Sequence, residues 1–240
     1  MRHVAETGST NSDLIDAVIA GTATNRTVLA TDHQTAGRGR LDRRWDAPPG
    51  ANLLVSMVVT PIPVVAVEAT HRVGLAAVAA VKRFVDGPVA STVGLKWPND
   101  VLLGDQKLAG ILAQRVPDRD AVVVGLGLNV GWAPDGAANL GSVARRAPMP
   151  AELLAALLEE LGALPADIGA RYRASLVTIG QWVRVELPSG TAPLHGRAVD
   201  VDLAGRLLVV DANGVRHDLD VGDVVHVRAT SSPGNGVNRV

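Results

Sequence analysis

Apolar residues recur along this chain at helical spacing in some stretches and at strand spacing in others. Residues 4–8 read as a short strand and turn, after which Leu14, Ile15, Val18 and Ile19 follow at helical intervals. Ser9-Thr10-Asn11 precede them with side chains able to cap a helix, and Thr10 with Asp13 fits a capping box. Residues 27–31 and 52–59 form two β-branched or apolar strand patterns, and Val67, Gly74, Val78, Val81 and Val85 mark one face of a long alanine-rich helix ending near Asp86-Gly87-Pro88. His71, on that helix, has no partner spaced as a metal ligand and reads as a structural or surface histidine.

Residues 95–103 read as a strand interrupted by Pro98, which cannot donate to a ladder, with Gly104-Asp105-Gln106 turning the chain into a partner strand over 107–113. The most apolar strand is 121–130, where Gly125 and Gly127 suggest close approach of backbone or ligand. Helical patterns follow at 152–161 and about 166–175. From Gln181 the rhythm changes to short strands at 182–187, 194–201, 207–210, 215–219 and 224–228, separated by Ser189-Gly190, Gly205 and Asn213-Gly214. This is the pattern of a small β-barrel, with a boundary near 177–181 and a Ser/Pro/Gly/Asn-rich, disordered tail over 230–240.

Composition narrows the function. With 240 residues, 47% of them hydrophobic, the chain can bury a large core, and a net charge of -1 removes any global attraction to nucleic acid or an anionic membrane. The absence of cysteine excludes a disulfide framework and a thiolate nucleophile and fits a cytoplasmic protein, as does the lack of any apolar run near the ~18 residues of a membrane span. Of 23 basic residues only Lys82, Lys96 and Lys107 are lysine, so a lysine inside a compact motif stands out.

Three polar stretches carry candidate chemistry: Ser9-Thr10-Asn11; the loop from Gln34 through Gly37-Arg38-Gly39-Arg40-Leu41-Asp42-Arg43-Arg44-Trp45; and Lys96-Trp97-Pro98-Asn99-Asp100 with the later Lys107 and Asn129. Alternate glycines let the loop backbone approach a ligand closely, and guanidinium forks match carboxylate and phosphate oxygens. By itself such a stretch is more readily a solvated basic turn, but its place between two core strands suits a binding segment on a rigid scaffold. Other motifs fail on context. Gly125-Leu-Gly127-Leu-Asn129-Val130 lies inside a strand rather than opening a helix, and the segment from Asp200 lacks the fifth and twelfth ligands of a calcium loop.

The STN segment, the GRGRxxRxW loop, KWPND and GxGxN occur in the order seen in biotin protein ligases, and the chain resembles that family over about 225 residues, from near Val4 to Arg228. The resemblance implies an α+β fold: a mixed β-sheet catalytic domain with flanking helices, of the class II synthetase or biotin–lipoate ligase type, over 1–178. A small SH3-like β-barrel over 179–229 would follow. It implies that biotin and ATP give biotinyl-5′-AMP and pyrophosphate, and that a carrier-domain lysine of an acyl-CoA carboxylase then receives biotin. Ser9, Thr10, Asn11 and Gln34 would hold the ureido ring, and Gly37, Arg38, Gly39 and Arg40 would line biotin, with Arg40 near the reacting oxygens. Lys96 would be the essential lysine bridging carboxylate and phosphate. Arg43 and Trp45 would serve the nucleotide, and Asn129 would read adenine; Mg²⁺ would ride on ATP without an assigned protein ligand.

Leu41-Asp42 depart from the family pattern, and Trp97 and Trp182 are assigned to core packing. The arginine loop is expected to act as a lid over the activated intermediate. Some relatives carry an N-terminal DNA-binding domain; the STN segment lies so near the first residue that a short form without specific DNA binding is expected. The alternatives are a lipoate ligase-type acyltransferase of the same fold and a non-enzymatic nucleic-acid or protein binding module. The 2% aromatic content offers little stacking surface for the latter.

Overall fold

A computed structural model of the protein describes residues 1–41, 43–187, 192–220 and 222–226. Asp42, the Ser189-Gly190 turn, the strand end at 227–228 and the tail over 230–240 lie outside the described residues. Strands β1 (Arg2–Thr7), β2 (Val28–Gln34), β3 (Leu53–Val59), β4 (Val93–Lys96), β5 (Asp100–Leu103), β6 (Gln106–Arg115) and β7 (Val122–Leu128) form one sheet in the order β1-β2-β3-β7-β6-β5-β4. β1 and β2 are parallel and the other neighbours antiparallel, giving the mixed sheet expected from the sequence.

Strand alternation decides what each face carries. On one face Val28, Ala30, Val55, Met57, Val122, Val124 and Leu126 join the main core beneath helices α2 (Glu68–Lys82), α4 (Pro150–Gly162) and α5 (Gly169–Ser175). On the other, Leu29, Val58 and Val123 pack with Leu14 and Val18 of helix α1 (Thr10–Ile19) in a smaller cluster. Further along the same face the apolar residues give way to Ser56, Gly125 and Gly127, which leaves a depression beside the N-terminus of α1.

A second, five-stranded antiparallel sheet contains β8 (Trp182–Glu186), β9 (Leu194–Val201), β10 (Leu207–Asp211), β11 (Arg216–Leu219) and β12 (Asp223–His226), in the order β11-β10-β9-β8-β12. Val183, Val185, Ala198, Leu207, Val209 and Val224 belong to the same core cluster as α2 and α4, so the small sheet is packed onto the large one. Among the described residues no helix is long and apolar enough to cross a membrane.

Four local expectations are corrected. KWPND is not one interrupted strand: Lys96 and Asp100 are cross-strand partners, and Trp97-Pro98-Asn99 make the turn of an antiparallel β4–β5 hairpin. Ser9, not Thr10, is the N-cap of α1, and no side chain caps it; the Thr10 hydroxyl meets Gln34 and Ser56 while Asp13 accepts from Thr7, so longer-range partners displaced the local box. Helix α2 stops at Lys82, and the four-residue helix α3 (Gly87–Ala90), with Pro88 in its first turn, follows separately. Trp182 is 52% exposed because the first residue of β8 points outward opposite Arg197, whereas Trp97 is buried and its Nε1 donates to the Gly205 carbonyl at 2.9 Å.

His71 is buried where the two sheets meet. Its ring stacks on Tyr172 at 3.6 Å between centroids, and a side chain at Gly205 would lie 3.0 Å from its Cε1. Burial lowers its pKa to about 4. The unfolded chain therefore takes up the proton first, so this stabilisation is complete above the ordinary value near 6.5 and is lost as pH falls toward 4. Denaturant unfolding at pH 7.5 and 4.5 should show His71→Phe losing less stability on acidification than the parent, by up to about 3 kcal/mol. Equal losses would show that His71 does not titrate on unfolding.

Candidate active site

A cavity of about 230 Å³ opens on the α1 face of the large sheet, lined by residues from the N-terminus of α1, the arginine loop, β3, β5, β6, β7 and the start of β12. Its floor consists of positions where a side chain would collide. A Cβ on Gly125 would lie 2.3 Å from Asn11 Oδ1, and one on Gly127 would lie 2.4 Å from the Trp45 ring. Gly110, cross-strand from Gly127, likewise leaves room for Trp45 and Lys107. The glycines anticipated as points of close approach thus receive Asn11 and Trp45.

One end of the cavity is polar and uncharged. Gln34 Oε1 accepts from the Thr10 backbone N–H at 2.9 Å and from its hydroxyl at 3.0 Å, and the Thr10 hydroxyl is 2.6 Å from Ser56 Oγ. Asn11 Oδ1 accepts from Ser56 Oγ at 2.6 Å, while its Nδ2 donates to the Leu112 carbonyl and to Gln114 Oε1 at 3.1 and 2.7 Å. This network fixes the amides, since buried polar groups left without partners are costly. Ser9 lines the same end.

The arginine loop closes over the opposite end as a tight double-backed turn. Gly39 N–H donates to the Arg43 carbonyl at 2.7 Å, Arg38 bridges Arg44, and Trp45 N–H donates to Gly37 O at 3.0 Å. Leu41, at φ 55°, occupies the left-handed position that this reversal needs. Arg38, Gly39, Arg40, Arg43 and Trp45 line the cavity, but Gly37 does not. A Cβ on Gly37 would lie 2.2 Å from the Trp45 carbonyl oxygen, so its small size serves the loop's own closure. The Trp45 indole lies on Gly127 with Lys107 Nζ 5.6 Å from its ring centre, and its Nε1 is buried without a partner among the described residues, a donor open to a ligand.

Lys107 and Arg43 at this end are each directly paired. Lys107 Nζ lies 2.6 Å from Asp100 Oδ1, a charge contact without hydrogen-bond alignment, and Arg43 donates to Asp223 at 2.5 Å. Arg40 is held differently: half-buried, it donates to Asn99 Oδ1 at 3.0 Å and to the Gly222 carbonyl at 3.2 Å, both neutral acceptors. Burial lowers its pKa, Asp223 and Asp100 act in the opposite sense, and Arg43 adds to the lowering. It remains a cation, as arginine does throughout the physiological range.

The structure brings together the expected Ser9, Thr10, Asn11, Gln34, Arg38, Gly39, Arg40, Arg43, Trp45 and Asn129. Asn129 is tied up locally: its Nδ2 donates to the Ala138 carbonyl at 3.0 Å and its Oδ1 accepts from Asn52, leaving one amide hydrogen and one lone pair for a ligand. Lys96 is outside the lining, and among the described residues Lys107 is the lysine that lines the cavity. The reason is topological. Lys96 ends β4, the outermost strand, where its charge acts with burial to lower the pKa of His226, whereas Lys107 is on β6, next to the glycine floor of β7. Sequence reasoning also missed Asp223, Ser56 and Gln114, which lie outside the short motifs, on β12, β3 and the far end of β6. For Lys107 a signal existed in the scarcity of lysine.

This combination, a mixed sheet with a glycine floor under an arginine loop and a small antiparallel sheet behind it, defines an α+β ligase of the biotin–lipoate type. Residues 6–130 match the model of the Biotin/lipoate A/B protein ligase family, and residues 178–227 match the Biotin protein ligase C terminal domain. The chain is 41% identical over 240 residues to the biotin--[acetyl-CoA-carboxylase] ligase of Mycobacterium tuberculosis, covering 94% of this chain and 88% of that protein. The chain belongs to the biotin protein ligase family. Among solved structures, the Aquifex aeolicus biotin protein ligase in complex with biotin and ATP shares the fold at TM-score 0.77 and 23% identity, over 95% of this chain and 98% of that one. The Leishmania major biotin protein ligase in complex with biotinyl-5-AMP matches at TM-score 0.64 and 25% identity, over 92% and 98%.

Proposed function

We propose that this chain is a biotin protein ligase that activates biotin with ATP and transfers it to a lysine of a biotin carrier domain of an acyl-CoA carboxylase. In the first step a carboxylate oxygen of biotin attacks the α-phosphorus of ATP, the bond to the β-phosphate oxygen breaks, and pyrophosphate leaves. In the second the carrier amine attacks the carbonyl carbon of the mixed anhydride, AMP leaves, and the amine gives up a proton. No protein nucleophile is needed; the residues must hold two anions together and neutralise charge developing between them.

The observation that carries this reading is the polarity of this cavity. A neutral, hydrogen-bonding end of Thr10, Asn11, Gln34 and Ser56 suits an uncharged urea ring, and a cationic end of Arg40, Arg43 and Lys107 suits carboxylate and phosphates. Lys107 takes the bridging role between them, and Trp45 with Asn129 lies where a base could be received. Mg²⁺ would accompany the phosphates of ATP, where it would supply charge neutralisation. Residues 1–178 form the catalytic part and 179–229 the small C-terminal part.

The acceptor is expected at β1: it ends the large sheet with mostly exposed residues, whereas β4 at the other end is buried beside residues 175–177. An extended segment can add to such an edge. Incubation with ATP, Mg²⁺, biotin and a carrier domain should give covalently biotinylated carrier; folded protein without transfer would refute the reading. A lipoate ligase is separated by competition, because a dithiolane offers the neutral polar end no hydrogen bonds in return, so lipoate should not displace biotin. Gly125→Ala, which drives a methyl group into Asn11, should weaken biotin binding at least about tenfold by calorimetry. Unchanged affinity would place the ureido ring elsewhere.

A further inference from the structure

The small C-terminal sheet supplies a charge to the cavity. Asp223, the first residue of β12, lines it, pairs directly with Arg43, and is the strongest charge favouring the protonated form of Arg40. The preceding residue, Gly222, gives its carbonyl to Arg40. Both arginines flank one tight turn closed by Gly39 N–H to Arg43 O and Arg43 N–H to Arg40 O, so they are presented together to the start of β12. Asp223 thus occupies, with a carboxylate, the side of the loop from which its cations would otherwise reach an anion.

We propose that Asp223 is a positioning residue, a resident counter-ion that holds Arg43 and steadies Arg40 until the phosphates of ATP take its place. The inference rests on the ligase reading above and extends it to the C-terminal sheet, which then bears on nucleotide affinity through an exchange of ion partners. An incoming triphosphate carries more charge than one carboxylate and wins the exchange, but it must displace a pair already made. Arg43 is largely exposed, so the displaced pair is of the weak, screened kind, and the cost to ATP binding is modest.

A staple and a counter-ion make opposite predictions. If Asp223 merely fastened the loop to the small sheet, removing its charge would loosen the site and weaken ATP binding. As a counter-ion, its neutralisation frees Arg43 for phosphate. Calorimetric titration of the full-length protein with a non-hydrolysable ATP analogue and Mg²⁺ should show Asp223→Asn binding about two- to fivefold more tightly than the parent. Asp223→Glu, which restores the charge, should bind as the parent does. The KM for ATP in biotin-dependent pyrophosphate release should fall by the same factor while the KM for biotin does not fall. Equal or weaker analogue binding by Asp223→Asn, or tighter binding by Asp223→Glu as well, overturns the proposal. Analogue binding is measured without biotin. A parent protein that binds the analogue but releases no biotin-dependent pyrophosphate therefore refutes the ligase reading while the counter-ion comparison still stands or falls by itself; a parent that does not bind the analogue refutes the counter-ion proposal, and the ligase reading is then decided by the pyrophosphate assay.

Discussion

Lys107→Met should lower biotin-dependent pyrophosphate release by about 10²- to 10³-fold, the loss that follows removal of a preorganised group stabilising charge in a transition state. Lys107 is the amine lining the cavity, on the strand next to its glycine floor and over the Trp45 ring, and a flexible point charge there can contact carboxylate and phosphate oxygens together. Its partner Asp100 would be left without a direct counter-charge in a mostly buried place, so some destabilisation is expected. The double variant Lys107→Met with Asp100→Asn removes both charges and separates the two effects: activity should stay low while thermal stability recovers. Lys96→Met, outside the lining, should cost less than about tenfold by the same assay. If Lys96→Met abolished the reaction and Lys107→Met did not, the assignment drawn from the motif would be right and the one drawn from the geometry wrong.

Arg40→Ala should reduce adenylate formation by about 10²-fold and raise the escape of biotinyl-AMP into solution. Among the described residues Arg40 is in no ion pair: its hydrogen bonds go to Asn99 and the Gly222 carbonyl, which orient the guanidinium without cancelling its charge. Held in this way a cation needs little rearrangement to meet an anion, whereas Lys107 and Arg43 must first give up carboxylates. The same residue joins the loop to the β4–β5 turn and to the small sheet, so its loss opens the lid as well as removing a clamp. Rapid quench separates bound from released biotinyl-AMP; unchanged retention would remove Arg40 from the closing of the site.

Much of this site is legible in contiguous residues. Thr10 and Asn11, Gln34 and the arginines of the loop lie in short motifs whose chemistry is apparent from residue type and spacing, and Gly125 and Gly127 announce a close approach that Asn11 and Trp45 fulfil. The apolar runs at 121–130 and 52–59 likewise anticipate β7 and β3. Local chemistry misled in the capping box at Thr10, where Gln34 and Ser56, far along the chain, offered the hydroxyl better partners than its own helix turn. It misled again at Trp182, because the choice of inward or outward face depends on the register of β8 against β9.

The sequence by itself determined most of the succession of strands and helices, the clustering of neutral and cationic polar residues in short motifs, and the family, because each depends on residues adjacent in the chain. Tertiary structure alone decided which lysine faces the cavity. In the sequence Lys96 stands inside the recognisable motif and Lys107 stands eleven residues beyond Lys96. Folding places the former on the outermost strand and the latter beside the floor, because the order β7-β6-β5-β4 brings β6 inward. It also brought Asp223, 180 residues from Arg43, into a 2.5 Å contact. Such a pairing depends on how two sheets dock, and nothing in the local pattern of either segment records it.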